Sequence, residues 1–307
     1  MALTVGIITT VITVARLIFK RFFSTTQTFT VDDLVITIAL ILHISCTTIN
    51  VAGLATHGLG RDIWTLAPEE LRTFTFYLYI IEIHFFTEIS LAKISLLLFY
   101  LNIFPEKRIR RLLWGTAILI AVFGLVSSVI AIFQCTPVDY FWTQYSGTSA
   151  GHCLNINAFA WSNASVHVAT DIWMLGIPLS QIPKLKLHWK KKLAAAFMFM
   201  TGLFITVAAT LRMQSLVHFA NSDNPTWDQT IVCVWATIET NVSIICTCLP
   251  TMRLIVLRIF PKVFGSGTKR SKSYVTYESA QSNSSGKKST GGYPVSETKS
   301  AADSSSV

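Results

Sequence analysis

Leu112-Leu-Trp-Gly-Thr-Ala-Ile-Leu-Ile-Ala-Val-Phe-Gly-Leu-Val-Ser-Ser-Val-Ile-Ala-Ile-Phe133 runs for 22 residues without a charged side chain, directly after Lys107, Arg108, Arg110 and Arg111. At a helical rise of about 1.5 Å per residue the run is long enough to cross a hydrocarbon layer of about 30 Å. Six further runs have a comparable length: Ala2 to Phe19, Leu34 to Ala55, Phe76 to Leu101, Ala158 to Leu179, Leu193 to Val217 and Ile231 to Leu249. The pattern predicts an all-α membrane protein, a seven-transmembrane helix bundle over residues 1–262. Residues 263–307 are rich in Ser, Thr, Gly and Lys, hold too little apolar surface to offset ordering, and read as a disordered cytoplasmic tail.

Composition agrees. Apolar residues make up 51% of the 307 and charged residues only 13%, where soluble domains carry about a quarter charged. The partner these numbers imply is the lipid bilayer. The net charge of +9 is split into clusters by the apolar runs, which fits a cytoplasmic membrane face and excludes nucleic acid as a partner.

Orientation follows from where the positive charges fall. One set of inter-span segments holds Arg16, Lys20, Arg21, Lys107, Arg108, Arg110, Arg111, Lys184, Lys186, Lys190, Lys191, Lys192, Arg253, Arg258, Lys262, Lys269, Arg270 and Lys272; the alternate set holds Arg61 and Arg72. Cytoplasmic loops retain Lys and Arg, so the N-terminus is expected outside and the C-terminus in the cytoplasm. The first run has no basic residue ahead of its apolar stretch and no small-x-small cleavage site, so a retained span is expected rather than a cleaved signal peptide. Arg16, at its end, would then have to snorkel.

The outer segment from Gln134 to Asn157 places Cys135 and Cys153 on the oxidising side around a Gly/Ser/Thr-rich turn. A disulfide is expected there, stabilising the loop by about 3 kcal/mol. Asn163-Ala-Ser165 matches a glycosylation sequon but lies within a span.

Ionisable groups at membrane depth cost several kcal/mol each and normally face the bundle interior. Near the cytoplasmic boundary an Asp33–Lys93 ion pair between spans would serve packing. Nearer the outside, Glu82, Arg212 and Glu239 fall at similar depths. Asn163, His167 and Asp171 are spaced four apart along one helix face, as are His84 and Glu88, and such stripes should line a cavity. Three glutamates share one evident cation there, and a carboxyl buried without a partner holds its proton, as a general acid must. Two readings stay open: a polar pocket with an acid (Glu88 or Glu239) and an imidazole (His84 or His167), or a hydrogen-bonded network that only holds helices together. In the first, Glu88, Glu239, His167 and Asp171 are the catalytic candidates, and Glu82, His84, Asn163, Arg212 and Asn241 the ligand-binding ones. His43, His84 and His167 lack H-x-x-H spacing, so no metal is expected.

Several strings resemble the fungal rhodopsin-domain family of seven-helix integral membrane proteins, which includes a satratoxin-cluster membrane protein and plant-pathogen receptor-like relatives. They are Asp32-Asp33, Gly58-Leu-Gly60-Arg61, Lys93-Ile-Ser-Leu-Leu-Leu-Phe-Tyr-Leu-Asn-Ile-Phe104, Gln134-Cys135 with Pro137 and Trp142, and Gly151-His-Cys153. Asp171 with Ile177-Pro178, Gly202 to Arg212, and Trp235 to Arg253 with Ile238-Glu239-Thr-Asn241 and Cys248-Leu-Pro250 complete the set. The last span holds no lysine for a retinal Schiff base, and Lys93 is the only lysine in any span, so no cofactor is expected.

The resemblance implies a multi-pass protein of the plasma membrane or an endomembrane, in a fungal secondary-metabolite pathway. It would handle a lipophilic small molecule in the intramembrane pocket by acid-assisted cyclisation or rearrangement, or without any reaction. Two alternatives remain: a receptor-like protein signalling from an external ligand through a cytoplasmic partner at its basic inner loops, and a membrane scaffold for pathway enzymes.

Overall fold

The computed structural model of the chain describes residues 2–23, 31–103, 106–146, 150–181, 189–220 and 224–259. The predicted tail from residue 263 and the basic loop around Lys184 and Lys186 lie outside them. Seven long helices occupy the described residues: α1 (Ala2–Phe23), α2 (Val31–Ile49), α3 (Pro68–Ile103), α4 (Lys107–Ile132), α5 (Ile156–Gln181), α6 (Trp189–Ala220) and α7 (Pro225–Ile259). Among the described residues, four stretches are long and apolar enough to cross a membrane: Ala2–Phe22, Val31–Leu54, Lys107–Ile132 and Thr226–Leu249.

Helix limits follow local chemistry. α3 starts at Pro68, before its apolar run, because proline suits the first helical turn and Glu69 and Glu70 complement the helix dipole there. α7 starts at Pro225 with Asp228 in its first turn for the same reasons. α2 ends in a π turn, Asn50–Leu54, where the Asn50 carbonyl accepts from Ala55 N at 3.1 Å. Gly58 and Gly60 then take φ of 118° and 80°, left-handed values that an L side chain disfavours, and turn the chain toward α3.

The helices bury polar side chains among apolar ones and are apolar on their outer faces. On α1, Thr9, Thr13 and Arg16 are buried along one stripe while Ile7, Val11, Val14 and Ile18 are exposed. On α4, Thr116 and Ser127 are buried while Ile118, Leu119, Val122, Leu125 and Val129 are exposed. Such a surface suits lipid rather than water. α3 is central, packing against α2, α4 and α7; α1 packs on α2 and α7, and α6 joins α5 to α7.

Beyond the helices, Cys135–Thr136 pairs antiparallel with His152–Cys153, a two-residue ladder in a chain expected to be wholly α. The Cys135–Cys153 disulfide joins the two strands. A short helical turn, Tyr140–Thr143, lies under this hairpin and seats Phe141 against Tyr79 of α3.

Candidate functional site

Toward the α1–α2 connection, two acids meet two bases. Asp32 binds Arg16 at 2.5 Å and accepts from Ser95 Oγ at 2.7 Å, and Asp33 binds Lys20 at 2.7 Å. Arg16 also donates to the Thr247 carbonyl. Only 2% exposed, Arg16 does not snorkel: α1 turns it inward, where an aspartate and a carbonyl pair its two terminal nitrogens. The expected Asp33–Lys93 pair is not formed either. Lys93 points across to α5, where its Nζ lies 3.0 Å from Asp171 and donates to the His167 carbonyl at 3.1 Å and to Thr170 Oγ1 at 2.9 Å. α1 supplies Asp33 with a nearer cation, and the azimuth of Lys93 on α3 faces α5.

At mid-depth two acids are matched to bases. His43 Nδ1 lies 2.8 Å from Glu88 Oε1, both residues being fully buried. Arg212 lies 2.9 Å from Glu239 and sets its guanidinium carbon 4.4 Å over the Phe85 ring. The Arg212 N–H directions miss the carboxylate, so neither Glu239 oxygen has a directional hydrogen bond among the described residues. His167 stacks on Phe86 and meets Phe123 edge to face. Ser127 donates to Asn163 at 2.6 Å, and Thr9 to Asn241 at 2.6 Å.

A cavity of about 420 Å³ occupies the end of the bundle that carries the disulfide hairpin. That volume suits a small organic ligand. Phe85, Phe86, Phe141 and Ile81 form apolar wall; Glu82, Asn50, Gln144 and Gln229 supply polar atoms. Glu82 is held by Gln134 Nε2 at 3.0 Å, and no cation among the described residues pairs with it. His43 and Arg212 also border the cavity, each standing between it and its own acid.

Of the ligand-binding candidates, Glu82, Arg212 and Asn241 therefore line the cavity. Glu88 and Glu239, expected in its wall, sit behind His43 and Arg212, because an acid this deep is neutralised by the nearest base. The Asn163, His167, Asp171 stripe faces the bundle, as its spacing required, but is packed against Ser127, Phe86 and Lys93 instead of lining the cavity. Asp171 borders a separate void of about 30 Å³. His84 turns back to the Ile80 carbonyl at 2.9 Å. His43 was not expected as a pocket residue. The available signal was its register with Cys46 and Asn50, which puts three polar side chains on one face of α2.

Residues 15–258 match the family described as fungal rhodopsin domain. The chain is similar to a SAT4 family membrane protein of Emericella nidulans, 29% identical over 213 residues, which cover 67% of this chain and 52% of that protein. It is similar to Receptor GIN3 of Arthrobotrys oligospora, 26% identical over 202 residues, 66% and 48% of the two chains. To Fugralins biosynthesis cluster protein 2 of Gibberella zeae it is 23% identical over 225 residues, 69% and 55% of the two chains. The chain spans about half the length of these curated relatives. No solved structure matches it. Apolar helices and relatives together make it a helical, multi-pass membrane protein.

Proposed function

The chain belongs to the fungal rhodopsin domain family, and we propose that it is a seven-span member, N-terminus outside and C-terminus cytoplasmic, that handles a lipophilic intermediate of a secondary-metabolite pathway. The observation that carries this reading is the cavity: apolar and aromatic walls with a few convergent polar groups, set between the helices at one end of the bundle. The similarity to a biosynthesis cluster protein supports the pathway. Acid-assisted cyclisation or rearrangement is the reaction class that fits. Glu82 would be the acid on the cavity surface, giving a proton to a substrate double bond and taking one back after rearrangement, an isomerisation needing no co-reactant. Glu88 and Glu239 would then act through His43 and Arg212 as positioning residues, and His167 and Asp171 through the Lys93 network.

Deleting the gene and comparing extracted metabolites tests the reading. An accumulated lipophilic precursor, cleared by the wild-type gene and not by Glu82→Gln, is the expected result. An unchanged metabolite profile removes it.

A receptor reading has support of its own, the similarity to a protein described as a receptor. The same cavity would then take an external ligand and the basic inner segments a cytoplasmic partner. It requires that truncation after Gly265 blunt a ligand-evoked response, with metabolites unaltered.

A further inference from the structure

Arg212 has its charge offset but its hydrogen bonds unmade. Its Nε lies 2.9 Å from Glu239 Oε2 and its guanidinium carbon 4.4 Å over the Phe85 ring, so an anion and a π face both answer the positive charge. Nε and Nη2 are nevertheless enclosed without a directional acceptor among the described residues. A buried donor left unpaired is costly, most of all on a charged group. The residue is 7% exposed and borders the cavity, so an acceptor placed there would meet it. Other polar groups of the wall select less. The amides of Asn50, Gln144 and Gln229 each carry a donor and an acceptor, and the unpartnered Nε2 of His43 takes either role according to its protonation. A guanidinium only donates.

The charge of the acceptor follows from Glu239. Because that carboxylate already offsets the guanidinium, an anionic ligand would bring an unbalanced negative charge into a low-dielectric interior. A neutral carbonyl oxygen accepts the same hydrogen bonds without that cost. Depth follows from α3. Phe85 comes three residues after Glu82, so the two share a helix face one turn apart. α3 runs inward from the hairpin end, which puts Phe85, with the guanidinium on its face, about 4.5 Å deeper than Glu82. An oxygen held by Arg212 would therefore enter first, and the carbons next to it would lie beside Glu82.

We propose that the cavity selects neutral lipophiles carrying a carbonyl oxygen, such as a ketone, ester or lactone on an apolar body, with Arg212 as the donor that holds the oxygen. This rests on the cavity being a site for lipophilic molecules, as proposed above, and adds the functional group by which one is recognised and the end by which it enters. It also places the double bond of that reading close to the carbonyl, where Glu82 would meet it.

The test uses the full chain in phosphatidylcholine nanodiscs, with three fluorescent probes sharing a 4-(2-naphthyl)butyl tail and ending in acetyl, isopropenyl or carboxylate. Empty nanodiscs give the partition background. The acetyl probe is expected to bind about tenfold more tightly than its isopropenyl isostere, which has the same shape and no acceptor, and more tightly than the carboxylate. Arg212→Met combined with Glu239→Leu removes the donor without stranding the acid, and should bring the acetyl probe down to the isopropenyl affinity. Wild-type protein offers a check independent of the variant: in nuclear magnetic resonance of an acetyl probe enriched at its carbonyl carbon, that resonance should move downfield on binding, because hydrogen bonding deshields it. Equal binding of the acetyl and isopropenyl probes, tighter binding of the carboxylate, an acetyl preference that survives loss of Arg212, or an unmoved carbonyl resonance would each overturn the carbonyl selection while leaving the cavity a lipophile site. Failure of all three probes to exceed empty nanodiscs would overturn both readings.

Discussion

Lys93 shows how an intramembrane charge is tolerated in this bundle. Its ammonium has Asp171, the His167 carbonyl and Thr170 as partners, all supplied by α5. Removing one member of such a pair strands the other in a low-dielectric interior. Asp171→Leu is therefore expected to destabilise the protein by about 3–5 kcal/mol, while adding Lys93→Met should recover most of that loss. Thermal unfolding of the two variants in detergent micelles measures it, and a double variant no more stable than the single one would show the pair to be incidental. The ionisable residues themselves were legible as a list, since a charged letter in an apolar run is conspicuous. Their partners were not. Asp33 and Lys93 have compatible depths, but pairing also needs each helix's rotation about its axis, which is set by packing among all seven.

α3 and α4 approach closely where Gly124 meets Ser90. A Cβ built on Gly124 would collide with the Ser90 side chain, the small-residue contact typical of membrane helices. Gly124→Val should push the pair apart and cost about 1–3 kcal/mol, read as a lower melting temperature, whereas Gly115→Val, on the same helix with open space around it, should leave stability unchanged. The disulfide hairpin contributes in another way, by closing a loop of 18 residues that holds Phe141 over the cavity. Cys153→Ala is expected to cost about 3 kcal/mol and to weaken binding of a lipophilic probe, by loosening that wall. Unaltered binding in a folded Cys153→Ala protein would detach the hairpin from the site. Both cysteines could be paired from sequence because only they fell in an outer segment. The π turn at Asn50–Leu54 could not be foreseen, since its i→i+5 bond leaves no composition signal in an apolar run.

At the scale of the bundle, the described residues make one end basic and the other weakly acidic. The membrane class was plain from apolar run lengths alone, because run length responds to bilayer thickness and to little else. The position of the cavity was harder to read, since it depends on which inward polar groups satisfy one another and which are left over; Glu82 is left over only because Arg212 and His43 are taken. The charge asymmetry also makes the topology testable. Lys and Arg accumulate on the cytoplasmic side, so the segment between α4 and α5 should face the lumen during synthesis and the chain beyond α7 should not. Asn283-Ser-Ser285 is a natural sequon beyond α7, and Gly147→Asn would place one ahead of Thr148-Ser149 in the hairpin segment. Expressed in a eukaryotic host, the wild-type chain should run as a single unglycosylated band. The Gly147→Asn chain should gain one endoglycosidase-sensitive band shift, and adding Asn283→Gln should leave that shift in place. A glycan on Asn283 with none at position 147 would invert the orientation, put the cavity mouth on the cytoplasmic face, and require its ligand to arrive from inside the cell.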